Sequence, residues 1–141
     1  MKRRILVVDD DLAVLLTLKA VLELQGFEVE TASSTLNAID QIESAKYDMV
    51  ISDLRMETED AGLKVITAAR RQKYDPATAL LTAFPPTGER WDVHSESLLI
   101  KPLGTGDLLR QVEALLVRHA DERHSRQHSV GQTHPTPRKA V

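Results

Sequence analysis

The chain has 141 residues, a formal net charge of −3, 42% apolar and 28% charged residues, and no cysteine. These values fit one soluble domain with about 120 residues of core-forming pattern. They exclude a disulfide framework and a thiolate metal site, and offer no positive excess for nucleic acid. Met1-Lys2-Arg3-Arg4 precedes an apolar run of only Ile5 to Val8, which is no signal peptide, and no stretch reaches transmembrane length. A cytoplasmic protein with no membrane contact is expected.

Ile5 to Val8 is continuously apolar and reads as a strand buried on both faces. Asp9, Asp10 and Asp11 follow at once. Leu12, Leu15, Leu16, Leu18, Val21, Leu22 and Leu24 then recur at helical spacings, until Gln25-Gly26 stops the helix. Phe27 to Thr31 reads as a second strand. Ser33 or Ser34 caps a helix to about Ser44, with Leu36, Ile39 and Ile42 inside. Tyr47 to Ser52 is the third strand and ends at Asp53. An acidic loop, Leu54 to Ala61, leads into a helix from Gly62 to about Gln72. Asp75-Pro76 is a turn, and Ala77 to Thr82 a fourth strand. Phe84-Pro85-Pro86-Thr87-Gly88 breaks regular structure, so a helix between strands four and five is short or irregular. Leu98, Leu99 and Ile100 form a short fifth strand ending at Lys101-Pro102, and Asp107 to about His119 is the last helix.

This βα alternation implies an α/β fold: a five-stranded parallel sheet with helices on both faces, in the flavodoxin-like order 2-1-3-4-5. Residues 1–120 make one domain. From Asp121 the apolar periodicity stops, and 121–141 reads as a disordered tail. His124 and His128 could share a helical face and a metal, but a solvated tail is the commoner reason for such composition.

The chemistry follows from the strand order. Asp9 and Asp10 end strand one, and Asp53 ends strand three, its neighbour. Three carboxylates at one sheet edge need a compensating charge, which a hard cation such as Mg²⁺ supplies. The plainer explanation is that the first three acids cap the helix after them. Asp11 suits that role, but it leaves Asp53 unexplained. Thr82 and Lys101 end strands four and five on the same edge. A hydroxyl, an ammonium, a cation and a carboxylate nucleophile make a site for a transferred phosphoryl group, with Asp53 as the acceptor.

The runs Ile5-Leu6-Val7-Val8-Asp9-Asp10-Asp11, Ile51-Ser52-Asp53-Leu54-Arg55-Met56, Leu81-Thr82-Ala83 and Ile100-Lys101-Pro102 resemble the receiver domain of two-component response regulators, over about residues 3 to 118. The resemblance implies a CheY-like fold, with Asp53 as phosphoacceptor and Thr82 and Lys101 in support. It implies Mg²⁺ held by Asp10, Asp53 and the backbone carbonyl of Arg55, with Asp9 acting mainly through a metal-bound water. The phosphoryl donor would be a sensor histidine kinase or a phosphotransfer protein. Ala83, small, would leave the phosphoryl group accessible, and Lys101-Pro102 is often cis in the family.

Two departures stand out. Glu57 replaces the proline usual four residues after the acceptor, and Glu57-Thr58-Glu59-Asp60-Ala61 makes a longer, acidic loop. Leu98 stands where the family has an aromatic switch residue, and only Phe84 to Ser97 remains for the helix before it. The acidic loop borders the site, where extra acid could tighten the cation or slow an anionic donor; the second departure weakens the face on which the family dimerises and reads out phosphorylation, so a monomer is favoured. Trp91 would mostly cover core there.

The expected function is a stand-alone receiver whose phosphorylation at Asp53 switches a downstream protein partner or relays phosphate, without direct DNA binding. It is a phosphoacceptor, not an enzyme acting on a separate substrate. The alternative is a pseudo-receiver, a protein-interaction module with little phosphorylation. An aspartate-nucleophile phosphatase would want an acid where Arg55 stands. A flavin site would want backbone donors where the loop after strand one is acidic.

Overall fold

The structure, a computed structural model, describes residues 2–82, 97–100 and 105–132. Four parallel strands, β1 (Arg4–Val8), β2 (Glu28–Ala32), β3 (Met49–Asp53) and β4 (Ala77–Thr82), lie in the order β2-β1-β3-β4. Among the described residues the helices are α1 (Leu12–Leu24), α2 (Thr35–Ser44), α3 (Ala61–Arg70) and α4 (Thr105–Gln132). Each parallel neighbour is reached through a helical crossover, as parallel pairing requires.

β1, β3 and β4 are mostly apolar because they are covered on both faces, whereas the edge strand β2 is partly exposed and carries Glu28 and Glu30. Side chains alternate along a strand, so odd and even positions part company. Ile5, Val7, Met49, Ile51, Ala79 and Leu81 pack with Leu15, Leu18 and Leu22 of α1 and Leu108, Val112 and Leu116 of α4. Leu6, Val8, Val50 and Leu80 pack with Ala38 and Ile42 of α2 and Val65, Ile66 and Ala69 of α3. Each such buried Val, Leu, Ile or Met side chain stabilises the fold by about 1.5–3 kcal/mol.

Several local expectations hold. Asp11 caps α1, its carboxylate accepting from the N–H of Ala13 at 2.9 Å. Gly26 follows α1 at φ +93°, a left-handed stop that a Cβ would strain. Of the two serines, Ser34 is the cap of α2, accepting from Asn37 N–H at 3.2 Å. Helix interiors are narrower than the periodicity suggested. Leu12, Leu16 and Leu24 of α1 and Leu36 of α2 are exposed, because a surface helix buries one stripe and these leucines flank it.

α4 runs on to Gln132, past residue 121 where the apolar periodicity stops. Polar contacts accompany the start of this extension. Asp75, at φ +53° in the turn before β4, accepts from Arg126 at 2.9 Å and pairs with Arg123 at 3.3 Å. His119 Nε2 lies 2.8 Å from the Asp75 carbonyl oxygen. Residues 119, 123 and 126 share one helix face, so one carboxylate meets three side chains. Asp75→Asn keeps a residue that tolerates the left-handed backbone but removes the charge. Amide exchange should then accelerate across 121–132 while α1 to α3 keep their protection.

Around the strand starts, Tyr47 donates from its hydroxyl to Glu30 at 2.6 Å, and the Arg4 guanidinium lies 5.1 Å from the centre of the Tyr47 ring. Arg4 also pairs with Glu30 and, at 3.3 Å, with Glu28. The Tyr47 hydroxyl, then Arg4, holds the Glu30 carboxyl below its usual range despite partial burial. A depressed carboxyl contributes stability above its unfolded pKa and loses it as pH falls through the folded value. Tyr47→Phe should therefore cost about 1 kcal/mol at pH 7, discounted for partial exposure. The gap from the native protein should close in urea titrations taken below the ordinary glutamate range.

Candidate functional site

The acid cluster is a consequence of strand register. Val8 pairs with Ser52, Ser52 with Leu80, and Asp53 with Leu81. One residue beyond the Val8–Ser52 row, Asp9 therefore comes beside Asp53. The ladders continue around them: Asp9 N–H donates to the Ala32 carbonyl at 3.1 Å, and Leu54 N–H to the Leu81 carbonyl at 2.9 Å. Asp9 and Asp53 are buried and Asp10 is exposed, and one carboxylate oxygen from each lies within 4.8 Å of the others. Asp9 Oδ1 accepts from Asp11 N–H at 2.9 Å, which orients it at the mouth of α1.

Thr82, one residue past the Asp53–Leu81 row, is buried at the end of β4. Lys101, Pro102, Ala83, Trp91 and most of the Phe84 to Ser97 segment lie outside the described residues, as does the side chain of Leu98. Arg55 is placed, with its side chain exposed, two residues after Asp53. The donor set is three carboxylates on a rigid sheet edge, all hard oxygen ligands, which fits a divalent cation such as Mg²⁺ or Ca²⁺ and not a thiolate-seeking metal.

Two features of the loop after Asp53 carry geometry that the sequence did not disclose. Glu57 reaches across to the start of α2. Its Oε2 accepts from Thr35 N–H at 3.0 Å and its Oε1 from the Thr35 hydroxyl at 2.8 Å. These bonds, with the N–H of Glu57 itself first among the causes, hold its carboxyl below the usual range. Glu57 was legible as a departure from pattern, but nothing in the sequence pointed to Thr35, 22 positions away. Gly62, in the first turn of α3, backs onto the end of β3, its N–H donating to the Leu54 carbonyl at 2.8 Å. A Cβ there would sit 2.2 Å from the Asp53 carbonyl oxygen and 2.7 Å from Leu54 Cα.

The family model of the response regulator receiver domain matches residues 5–113. The chain belongs to this family. Receiver domains are phosphoacceptor signalling modules rather than classical enzymes. The transcriptional regulatory protein PrrA of Mycobacterium leprae is 35% identical over 118 residues, covering 82% of this chain and 50% of PrrA. The response regulator MprA of Mycobacterium avium is 37% identical over 122 residues, covering 84% of this chain and 53% of MprA. The chain thus spans about half the length of the curated relatives it matches. Among solved structures, the response regulator TrrA of Thermotoga maritima, in complex with Mg²⁺-BeF, is 34% identical, with a TM-score of 0.69 over 82% of this chain and 99% of that one. A CheY-like receiver of Methanospirillum hungatei matches at a TM-score of 0.76 over 86% of this chain and 99% of that one. At 24% identity it bears on the fold alone.

In this receiver the Gly62 contact ties loop geometry to Asp53. The obstructing atoms are all backbone, so Gly62→Ala must move β3 or α3. We expect a loss of about 1–3 kcal/mol, as for other overpacked sites, read as a lower midpoint in urea unfolding. A Gly106→Ala control should be near neutral, since a Cβ there meets only the tip of Arg110 at 3.4 Å.

Proposed function

We propose that this receiver is a Mg²⁺-dependent phospho-switch with Asp53 as the phosphoacceptor. The observation that carries the reading is the meeting of Asp9, Asp10 and Asp53 within 4.8 Å at the carboxyl ends of β1 and β3. The Mg²⁺-BeF complex of TrrA, a relative of the same fold, supports Mg²⁺ as the cation. Asp10, Asp53 and the Arg55 carbonyl would hold it, with Asp9 acting through a bound water. When bound, Mg²⁺ supplies positive charge to the phosphoryl oxygens.

An Asp53 carboxylate oxygen attacks the phosphorus of a phosphohistidine on a sensor histidine kinase or phosphotransfer protein. The O–P bond forms as the P–N bond breaks, and the imidazole leaves with the electron pair and takes a proton from solvent. Buried Thr82 donates its hydroxyl to a phosphoryl oxygen, and Lys101 pairs with another. We read Ser97–Ile100 as a fifth strand, giving the order 2-1-3-4-5. Its backbone alignment, from Ala79 opposite Ser97 to Thr82 opposite Ile100, supports this. Residues 1–120 form the receiver unit, and its output is a downstream protein partner or onward relay. A cytoplasmic monomer is our reading; no helix among the described residues is long and apolar enough to cross a membrane.

Acetyl phosphate with Mg²⁺ should add one phosphoryl group to the protein by intact mass and none to Asp53→Asn. Chelation of Mg²⁺ should abolish the gain. If no mass is gained and beryllofluoride does not bind, the chain is a protein-interaction module with the receiver fold.

A further inference from the structure

The loop after Asp53 is fastened at three points. At its neck, Gly62 N–H donates to the Leu54 carbonyl at 2.8 Å. Inside, Met56 N–H donates to the Thr58 carbonyl at 3.1 Å. At its outer side, Glu57, the middle residue of that Met56–Thr58 turn, makes its two bonds to Thr35 of α2.

The inner bond has a consequence for the cation site. The Arg55 carbonyl and the Met56 N–H belong to one peptide unit, which is planar and trans. Directing the N–H at Thr58 therefore directs the carbonyl of Arg55 the opposite way. Whatever holds the turn holds that carbonyl. Glu57 is the only residue between the two bonded ends of the turn, and its side chain is fixed to a different helix by a pair of bonds with a charged acceptor, the stronger class.

We propose that Glu57 is a positioning residue for the cation site, acting through its clasp on Thr35 to orient the Arg55 carbonyl. The inference rests on the Mg²⁺ reading above and goes beyond it, since it assigns a role to a residue that cannot itself be a ligand of the Asp9–Asp10–Asp53 cluster in this arrangement. It also gives α2 a part in the site. A proline at this position, usual in the family, stiffens the loop by its own ring. Here stiffness comes instead from an anchor on a neighbouring helix, which also caps the α2 N-terminus with a carboxylate.

Glu57 also carries a negative charge near the cluster, and the test must separate charge from clasp. Mg²⁺ is titrated into the intact chain and followed by amide chemical shifts, for the native protein, Thr35→Val, Thr35→Ser, Glu57→Gln, Glu57→Ala and the double variant Glu57→Ala/Thr35→Val. Thr35→Val changes no charge and leaves the loop sequence intact. We expect it to weaken Mg²⁺ about threefold, and Glu57→Ala up to about tenfold, the scale of one or two such bonds. Thr35→Ser, which keeps the hydroxyl, should restore native affinity, and Glu57→Gln should fall between. The double variant should be no weaker than Glu57→Ala alone, because both break one clasp. At saturating Mg²⁺ every variant should take phosphoryl from acetyl phosphate at the native rate, a split that a general loss of folding would not produce.

Equal, native-like affinity in Thr35→Val and Thr35→Ser, with Glu57→Gln as weak as Glu57→Ala, would overturn the proposal and leave Glu57 as a bare charge. Additive losses in the double variant would overturn it too. A native protein that shows no Mg²⁺-dependent shifts would instead overturn the cation reading underneath, a result distinct from either.

Discussion

The meeting of three carboxylates at one sheet edge is the constraint around which this receiver is built. Asp9 and Asp53 are buried side by side at the ends of adjacent strands, with Asp10 exposed beside them. Two buried acids would ordinarily avoid one another. The parallel register leaves them no choice: once Val8 pairs with Ser52, the next residue on each strand is an aspartate. The hydrophobic core thus sets the positions of the acids, and the hard oxygen ligands it brings together suit a divalent cation.

That register is secured by burial on both faces. A one-residue slip of β1 or β3 would send Ile5, Val7, Met49 and Ile51 to the side of α2 and α3, and exchange every partner in the two clusters. The core is therefore what gives the acids their positions, and no contact between the acids themselves is required for it. Around this rigid edge the loop from Leu54 to Gly62 is held by bonds to elements remote in sequence. Gly62 presses on the Asp53 carbonyl, and Glu57 holds the start of α2. The site is accordingly supported from the helix layer on the side of α2 and α3, as well as by the strands that carry its acids.

The opposite end of the sheet shows a second use of charge. Asp75 gathers His119, Arg123 and Arg126 of α4, so the helix continues beyond the last leucine that touches the core. Near the other strand starts, Arg4, Glu28, Glu30 and Tyr47 form a compact polar group over β1, β2 and β3. Both groups lie away from the acid cluster and stabilise the ends of elements rather than the site.

The candidate site was legible from the chain wherever it depended on strand ends. A mostly apolar run signals a strand buried on both faces, and the polar residues that close it mark the edge, so Asp9, Asp53 and Thr82 could be placed at the ends of Ile5–Val8, Tyr47–Ser52 and Ala77–Leu81. The helix stops at Gly26 and the caps at Asp11 and Ser34 were local chemistry and equally readable. By contrast, which leucines of α1 face outward, how far α4 continues, and the partner of Glu57 all depend on contacts between residues distant in sequence. Periodicity counts apolar residues and is blind to a helix held by a carboxylate from another turn. The sequence by itself determined the βα alternation and the chemistry at the strand ends, because both follow from local pattern. Only the tertiary structure decided the clasp of Glu57 on Thr35, the fit of Gly62 against Asp53 and the reach of α4, because each is a meeting of groups that the chain separates by many residues and only packing brings together.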